Sequence, residues 1–172
     1  MHRTVKKVLV CAILGLLSAV PAFGWDDVGH KITGYIAWQR MSPQARENVI
    51  RVLRMAPEDS TLAVFYQPYG AESDETRKLE YFMLVPTWAD IVRDFGADSG
   101  FRNEARYRKY HKSTWHYDDT FWKQVSGKVE TLSGFPEGGL GVTKLKEFDA
   151  VIRDAAARNA DKAVAIAWLM HI

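Results

Sequence analysis

The stretch Asp161-Lys-Ala-Val-Ala-Ile-Ala-Trp-Leu-Met-His-Ile172 closes the sequence with an almost continuous apolar run. It contains neither glycine nor proline, and its residues follow helical rather than alternating spacing. A helix that is apolar on all sides is typical of a protein interior. The sequence therefore predicts a buried helix at this point, packed inside a helical protein.

This helix has no C-terminal signal. No glycine follows its last apolar residues, and neither lysine nor arginine occupies the last turn. A chain that stops inside a buried helix leaves carbonyl groups and apolar side chains without partners, whereas natural termini are usually exposed and polar. We therefore expect the sequence to be the front portion of a longer protein.

Helical patterns also dominate the rest of the chain. Ser42-Pro43 is typical of a helix start, with serine as N-cap and proline in the first turn. Pro86 should break the helical stretch 75–95, leaving 88–94 as a separate helix. Other helical patterns cover 28–36, 49–53, 143–158 and 161–172, whereas 96–141 is rich in glycine and aromatics and predicts loops. No segment gives a clear strand pattern, so the predicted class is all-α, with one domain over 25–172.

The first 24 residues have the three parts of a secretory signal. Arg3, Lys6 and Lys7 form a basic head, residues 8–20 form an uncharged apolar run, and Ala22 and Gly24 are small residues suited to cleavage. The alternative is a membrane anchor, but the run is shorter than the roughly 20 residues that span a bilayer. We expect this signal to direct export to the periplasm or the medium and to be cleaved before Trp25.

Removal of this signal changes the charge of the chain. The full sequence has 23 basic and 21 acidic residues, giving a net charge of +2, but all three charges in residues 1–24 are positive. The mature chain is therefore close to neutral and slightly acidic. It therefore lacks the overall positive charge that is typical of proteins that bind duplex DNA. The only cysteine, Cys11, lies in the signal, so disulfides contribute nothing to the mature protein.

Four histidines remain in the mature chain: His30, His111, His116 and His171. None belongs to a compact metal motif such as HExxH or CxxC. Taken singly, each is more typical of a surface or core histidine than of a metal ligand, and spacing alone does not establish a metal site.

Four short motifs give three of these histidines a context. They are Trp25-Asp-Asp-Val-Gly-His30, Trp88-Ala-Asp90-Ile-Val-Arg93, Trp115-His116-Tyr117-Asp118-Asp119 and Trp168-Leu-Met-His171-Ile. In this order they resemble the conserved segments of the S1/P1 nucleases, which are relatives of zinc phospholipase C. The resemblance extends from Trp25 to the last residue. It implies a multi-helix phospholipase C/P1 nuclease-like domain, incomplete at its C-terminus.

The resemblance implies a site for three zinc ions. The freed amine and carbonyl of Trp25, together with His30, would hold one zinc, and this site would exist only after signal cleavage. Asp90, His116 and His171 would hold a second zinc, with the nitrogen and oxygen ligands that zinc accepts. In the family pattern, the bridging aspartate and all ligands of the third zinc follow residue 172. We therefore expect the chain as written to be inactive and at best partly folded.

The resemblance also implies the reaction, which is hydrolysis of phosphodiester bonds in single-stranded DNA or RNA to 5′-phosphonucleotides, with possible 3′-nucleotidase activity. Asp90 and Arg93 would be the catalytic residues. Arg93 follows Asp90 by one helical turn, so it could bind phosphate while Asp90 holds metal. The alternative for Arg93 is an ordinary surface arginine.

Tyr117 and Asp119 occupy the positions that the family uses to hold a nucleobase. An aromatic ring stacks on any exposed base, and a carboxylate accepts hydrogen bonds from the amino groups of a base edge. Both contacts require an unpaired base. Alternatively, Tyr117 is a core aromatic residue and Asp118 or Asp119 is a helix cap.

Two other functions remain open from the sequence. A zinc phospholipase C-like hydrolase would share the metal ligands but cleave lipid headgroups, and a non-catalytic exported metal-binding remnant would need no substrate. We expect a monomer that uses nucleic acid and nucleotides as substrates and does not associate stably with membranes after signal cleavage.

Overall fold

A computed structural model describes residues 27–66, 70, 73–93, 103–132 and 138–172, apart from the side chains of residues 118 and 119. The chain is mostly helical. Its α-helices are α1 (Asp27–Arg40), α2 (Pro43–Leu53), α3 (Asp74–Leu84), α4 (Trp88–Arg93), α5 (Glu104–Tyr110), α6 (Gly141–Arg153) and α7 (Asn159–His171). Short 3-10 turns cover Glu58–Ser60, Leu62–Phe65, Val85–Thr87 and Ser113–Trp115. The predicted all-α class is confirmed.

Helix α7 is the central element, as its apolar sequence predicts. It packs against α6, α2, α4 and the 3-10 turn at 85–87. Alanines at 163, 165 and 167 are buried on it, and their small side chains allow neighbouring elements to approach closely. Large residues from several elements then complete the core: Trp38, Leu53, Leu62, Tyr81, Val85, Trp88 and Trp168.

Several helices begin where a polar side chain caps them. The Ser42 hydroxyl accepts a hydrogen bond from the backbone N–H of Ala45, with Pro43 in the first turn, as predicted. Ser73 caps α3 and Asn103 caps α5 in the same way. Each cap satisfies a backbone donor that lacks a partner within its helix.

Pro86 separates α3 from α4, as predicted. The chain passes through the 3-10 turn Val85–Thr87 and re-enters an α-helix at Trp88. The segment 96–141, by contrast, is less loop-like than its composition suggests. It contains α5 and four short strands: β1 (Asp118–Asp119), β2 (Trp122–Val125), β3 (Lys128–Thr131) and β4 (Gly138–Gly139).

These strands form two small antiparallel ladders, β1 with β4 and β2 with β3, which the sequence pattern did not predict. The β2–β3 hairpin turns at Ser126-Gly127, and both residues have positive φ, at 49° and 78°. Two left-handed residues match a type I′ turn, which suits the twist of a hairpin. The strands are too short for alternation to stand out, which explains the missed prediction.

Helix α1 presents an unexpected face to the interior. Its buried residues are His30, Gly34 and Trp38. The apolar residues that first suggested a helix, namely Val28, Ile32, Tyr35 and Ile36, are instead 45–58% exposed. A Cβ atom at Gly34 would lie 3.1 Å from Met83 Cα, so α1 crosses α3 almost backbone to backbone. This crossing sets which face of α1 points inward.

None of the helices in the described part of the chain combines the length and the apolar character that crossing a membrane requires.

Candidate metal centre

Three residues from distant parts of the sequence converge between α1, α4 and α7. They are His30, Asp90 and His171, and one ligand atom from each lies within 4.8 Å of the others. His30 Nε2 is 3.4 Å from Asp90 Oδ2, and the rings of His30 and His171 stack with centroids 4.4 Å apart. Both histidines are buried. The cluster is therefore an interior group of nitrogen and oxygen donors.

His116 extends this cluster to four residues. Its Nδ1 lies 2.7 Å from His171 Nε2 and 3.8 Å from Asp90 Oδ1. His116 directly follows the 3-10 turn Ser113–Trp115. All of the residues that the sequence analysis proposed as ligands, except Trp25, thus meet at one place.

The two carboxylate oxygens of Asp90 face different partners. Oδ2 faces His30, whereas Oδ1 lies 2.9 Å from Arg93 Nη2 and 4.0 Å from His171 Nε2. The family resemblance implies that His30 holds a different zinc ion from Asp90, His116 and His171, which stays a prediction. In the structure His30 contacts Asp90 Oδ2, so the carboxylate lies between the two predicted ligand groups.

A backbone carbonyl fixes the proton position on His171. Its Nδ1 lies 2.8 Å from the oxygen of Pro86. Because a carbonyl only accepts hydrogen bonds, Nδ1 carries the proton, and Nε2 of the neutral ring keeps its lone pair. That lone pair faces Asp90 and His116. A second partner of this kind is typical of metal-binding histidines.

The surroundings favour the protonation states that bind metal. Burial lowers the pKa of His116 to about 4, and the neighbouring His171 lowers it as well. Burial also lowers the pKa of His171, against the opposing effect of its hydrogen bond to Pro86. Burial acts to raise the pKa of Asp90, but the hydrogen bond from His30 and the nearby positive charges leave it below its usual range. Neutral imidazoles beside an ionised carboxylate are the ligand forms that zinc requires.

The spacing of these donors suits one zinc-sized ion. Ligand atoms on a tetrahedral zinc, at bond lengths of about 2.0–2.1 Å, are roughly 3.3 Å apart. The separations among Asp90 Oδ1, His116 Nδ1 and His171 Nε2 are 2.7, 3.8 and 4.0 Å. They bracket that value, so sub-ångström adjustments of the three side chains would complete the geometry. The donor set fits zinc.

Comparison with known sequences identifies the family. The sequence model of the S1/P1 Nuclease family matches residues 25–172. This chain belongs to the S1/P1 nuclease family. The family consists of hydrolytic nucleases that use zinc, and the match confirms the predicted relationship. No curated protein and no solved structure matches the chain.

Three tryptophans pack beside this cluster of histidines and Asp90. Trp168 contacts the rings of His116 and His171 edge to face, and Trp88 and Trp115 pack against Trp168. The Trp88 indole N–H donates to the carbonyl of Ser60 at 2.7 Å. Each of these tryptophans thus lies on an element that carries one of the candidate ligands or is directly followed by one.

Tyr117, one of the two predicted substrate contacts, lies next to this cluster. The ring of Tyr117 follows His116 directly and is 45% exposed, so it is not the core residue that the alternative reading describes. The backbone of β4 passes close to that of Tyr117, since a Cβ atom at Gly139 would lie only 2.2 Å from the Tyr117 carbonyl oxygen. Trp25 and the side chain of Asp119 lie outside the described residues. Their proposed roles stay predictions.

The sequence did not predict two contacts that help to position the residues of this cluster. One is the Pro86 carbonyl, a backbone group that carries no sequence signature. The other is Asp59, whose carboxylate binds Lys109 at 2.6 Å and the Tyr110 hydroxyl at 2.8 Å. These contacts join the turn at 58–60 to α5, which leads into the His116 segment. No local pattern links residues about 50 positions apart.

Proposed function

We propose that this chain carries a zinc-dependent nuclease centre that hydrolyses phosphodiester bonds in single-stranded DNA or RNA and leaves 5′-phosphates. The convergence of His30, Asp90, His116 and His171 beside Arg93, in a chain of the S1/P1 nuclease family, carries the proposal.

Asp90, His116 and His171 would hold a zinc ion, with His30 on the other oxygen of Asp90. When bound, zinc supplies a water with a pKa near 7 and polarises a phosphoryl oxygen. The protein residues hold the donors in place. The Pro86 carbonyl orients His171, and the Trp168 ring limits the rotation of His116 and His171.

Arg93 is the residue best placed to bind the scissile phosphate. Its guanidinium holds Asp90 Oδ1 with one nitrogen, yet the side chain is 56% exposed. The remaining N–H donors can therefore reach a phosphate oxygen while Asp90 stays in position. A lysine would offer a point charge but not this planar double contact.

Tyr117 would stack on the base next to the cleaved bond. Its exposed ring adjoins the ligand His116, and β4 fixes its backbone. A base reaches such a ring only when it is unpaired, which favours single strands over duplex. Asp119 would accept a hydrogen bond from the amino group of the base.

Export is part of the proposal. The free amine of Trp25 would become a metal ligand only after removal of residues 1–24, which links loading of that ion to signal cleavage. The basic head, apolar run and small residues at Ala22 and Gly24 support this order of events.

The test compares substrates and variants of the zinc-loaded protein. If the centre is active in this chain, hydrolysis of single-stranded DNA should exceed that of a duplex of the same sequence, and phosphatidylcholine vesicles should not be hydrolysed. Absence of hydrolysis on every substrate would instead agree with the expectation from the sequence that the chain as written is inactive. Asp90→Asn should lower the rate more than about 100-fold, beyond the effect of losing an outer hydrogen bond to a ligand. The exposed Asp161→Asn is the matched control. Hydrolysis of the lipid in preference to DNA would contradict the proposal.

A further inference from the structure

The β2–β3 hairpin is a solvent-exposed ribbon that begins three residues after β1. All eight residues of Trp122–Val125 and Lys128–Thr131 are exposed. An isolated two-stranded hairpin is marginally stable in water and usually needs another surface on one face. Within the described residues, no helix covers either face of this hairpin.

One face of the ribbon is suited to stacking. Cross-strand partners share a face, so Trp122 with Thr131 and Gln124 with Val129 lie on the same side. Trp122 is 60% exposed and Val129 is 68% exposed. A tryptophan exposed to this extent, flanked by an amide and a hydroxyl, offers a nucleobase both a ring to stack on and polar partners for its edge.

The hairpin follows the segment that carries the exposed ring of Tyr117. The Leu132 amide donates to the Phe121 carbonyl at 2.9 Å and closes the base of the hairpin. The Gly141 amide donates to the Tyr117 carbonyl at 2.9 Å, and β4 pairs with β1 beside it. The exposed rings of Tyr117, Phe121 and Trp122 therefore follow one another on a segment anchored next to His116.

Charge also favours a nucleic-acid strand. Lys123 pairs with Glu130 at 3.5 Å on the other face. Lys128, the partner of Val125, also lies on that face, next to the hairpin turn, and it forms no ion pair with any described residue. The hairpin thus carries one net positive charge in a mature chain that is slightly acidic. A single local cation suits phosphate groups without creating a general duplex-binding surface.

From these observations we infer that the β2–β3 hairpin is an extended binding site for single-stranded nucleic acid, with Trp122 as its stacking residue and Lys128 as a phosphate contact. This inference rests on the proposed nuclease function and specifies its substrate, which is a strand several nucleotides long. Trp122 follows His116 by six positions, so at most about 20 Å lies between them along the chain. That distance corresponds to roughly six nucleotides at the 3.4 Å spacing of a B-form strand.

The test measures binding of labelled phosphorothioate oligothymidylates, which resist cleavage, by fluorescence anisotropy with zinc-loaded protein. We expect Trp122→Ala to weaken binding of a 12-mer at least about 5-fold, and to change binding of a 3-mer less than 2-fold. Trp122→Phe should retain most of the affinity. Lys128→Ala should lower the salt slope by about 0.7, the value for one phosphate contact on a single strand, whereas Lys146→Ala on α6 should not.

The outcomes separate this inference from the proposed function. If the protein cleaves single-stranded DNA but Trp122→Ala binds both lengths as the parent does, the hairpin assignment is wrong and the nuclease assignment stands. If neither oligonucleotide binds and no DNA is cleaved, both are wrong. A Trp122→Ala variant that loses self-association in sedimentation, or loses binding to phosphatidylcholine vesicles, with unchanged 12-mer affinity would also overturn the assignment. Circular dichroism confirms that each variant is folded.

Discussion

Asp90 lies between two sets of partners, with His30 on one carboxylate oxygen and His116, His171 and Arg93 on the other. A half-buried carboxylate among three imidazoles is stabilised by a nearby positive charge, since partial burial penalises an isolated anion. The arginine supplies part of this charge from the solvent side. A bound cation would supply the rest from within.

At His171, the ligand role can be separated from the packing role. We expect His171→Ala to lower zinc affinity more than about 100-fold, because it removes a donor whose lone pair the Pro86 carbonyl orients. Isothermal titration with zinc measures the change. His111→Ala is the matched control, since His111 belongs to no predicted ligand set, and it should alter the affinity less than 10-fold. Equal losses in both variants would show that the effect on zinc binding is structural.

The chemistry of individual residues could be predicted from the sequence, but their convergence could not. Motifs identified His30, Asp90, His116 and His171, and each lies at the cluster. Their distances depend on how four elements pack, and no local pattern encodes that packing. For this reason, the sequence did not predict that His30 lies as close to Asp90 as the other histidines do.

At the scale of elements, the crossing of α1 and α3 sets the position of His30. Gly34 follows His30 by four residues and lies on the same face. A Cβ at Gly34 would lie 3.1 Å from Met83 Cα and 3.4 Å from Phe82 O, and both neighbours are backbone atoms that cannot easily move. A larger residue here must therefore push the helices apart.

We expect Gly34→Ala to destabilise the protein by about 1–3 kcal/mol through overpacking, although alanine is the better helix former by about 1 kcal/mol. Zinc affinity should fall as well, because His30 moves with the helix. Urea unfolding and zinc titration measure the two effects. Gln39→Ala on the exposed side of α1 should remain within 0.5 kcal/mol of the parent. A more stable Gly34→Ala protein would refute the close crossing.

The same crossing explains why periodicity failed to predict the buried face of α1. The spacing of Val28, Ile32, Tyr35 and Ile36 correctly indicates a helix, yet these residues lie outside. The buried face of α1 consists of His30, Gly34 and Trp38, of which only Trp38 is a large apolar residue. Burial of Trp38 and the backbone contact at Gly34 depend on α3, which local sequence does not reveal.

A second element contact gives a pH dependence. Hydrogen bonds from Lys109 and then from Tyr110 lower the pKa of Asp59, against a smaller opposing effect of burial. Because the pKa is lowered on folding, the contact stabilises the protein above the unfolded pKa of about 3.9, and this contribution is lost as the pH falls through the folded pKa.

We expect Asp59→Asn to be less stable than the parent at pH 5–8 by a constant amount, and the difference to shrink below about pH 4. Urea unfolding at a series of pH values measures it. Asp154→Asn, at an exposed turn, is the control for general loss of acidic charge. A difference that grows on acidification would have the wrong sign for a lowered pKa.

At the scale of the whole molecule, metal binding and folding should be coupled, because the ligands come from α1, α4, α7 and the segment after α5. A ligand present at 100 times its dissociation constant stabilises the folded state by about 2.7 kcal/mol. For a chain of this size, that corresponds to a shift of about 5–10 °C in the unfolding temperature.

Chelation should therefore lower the unfolding temperature of the zinc-loaded protein by about that amount, as measured by calorimetry with and without EDTA. His171→Ala should unfold at the same temperature in both conditions, while His111→Ala should respond as the parent does. A chelator effect of equal size in His171→Ala would place the stabilising ion elsewhere.

The spread of the ligands along the chain also orders events in time. About 140 residues separate His30 from His171. At synthesis rates of about 5–20 residues per second, the first histidine waits roughly 7–28 s for the last. During that interval α1 can form, but the stacking partner of the His30 ring does not yet exist. Capture of an ion by these four residues would therefore be a late event, because a nascent chain lacks His171 until α7 has been synthesised.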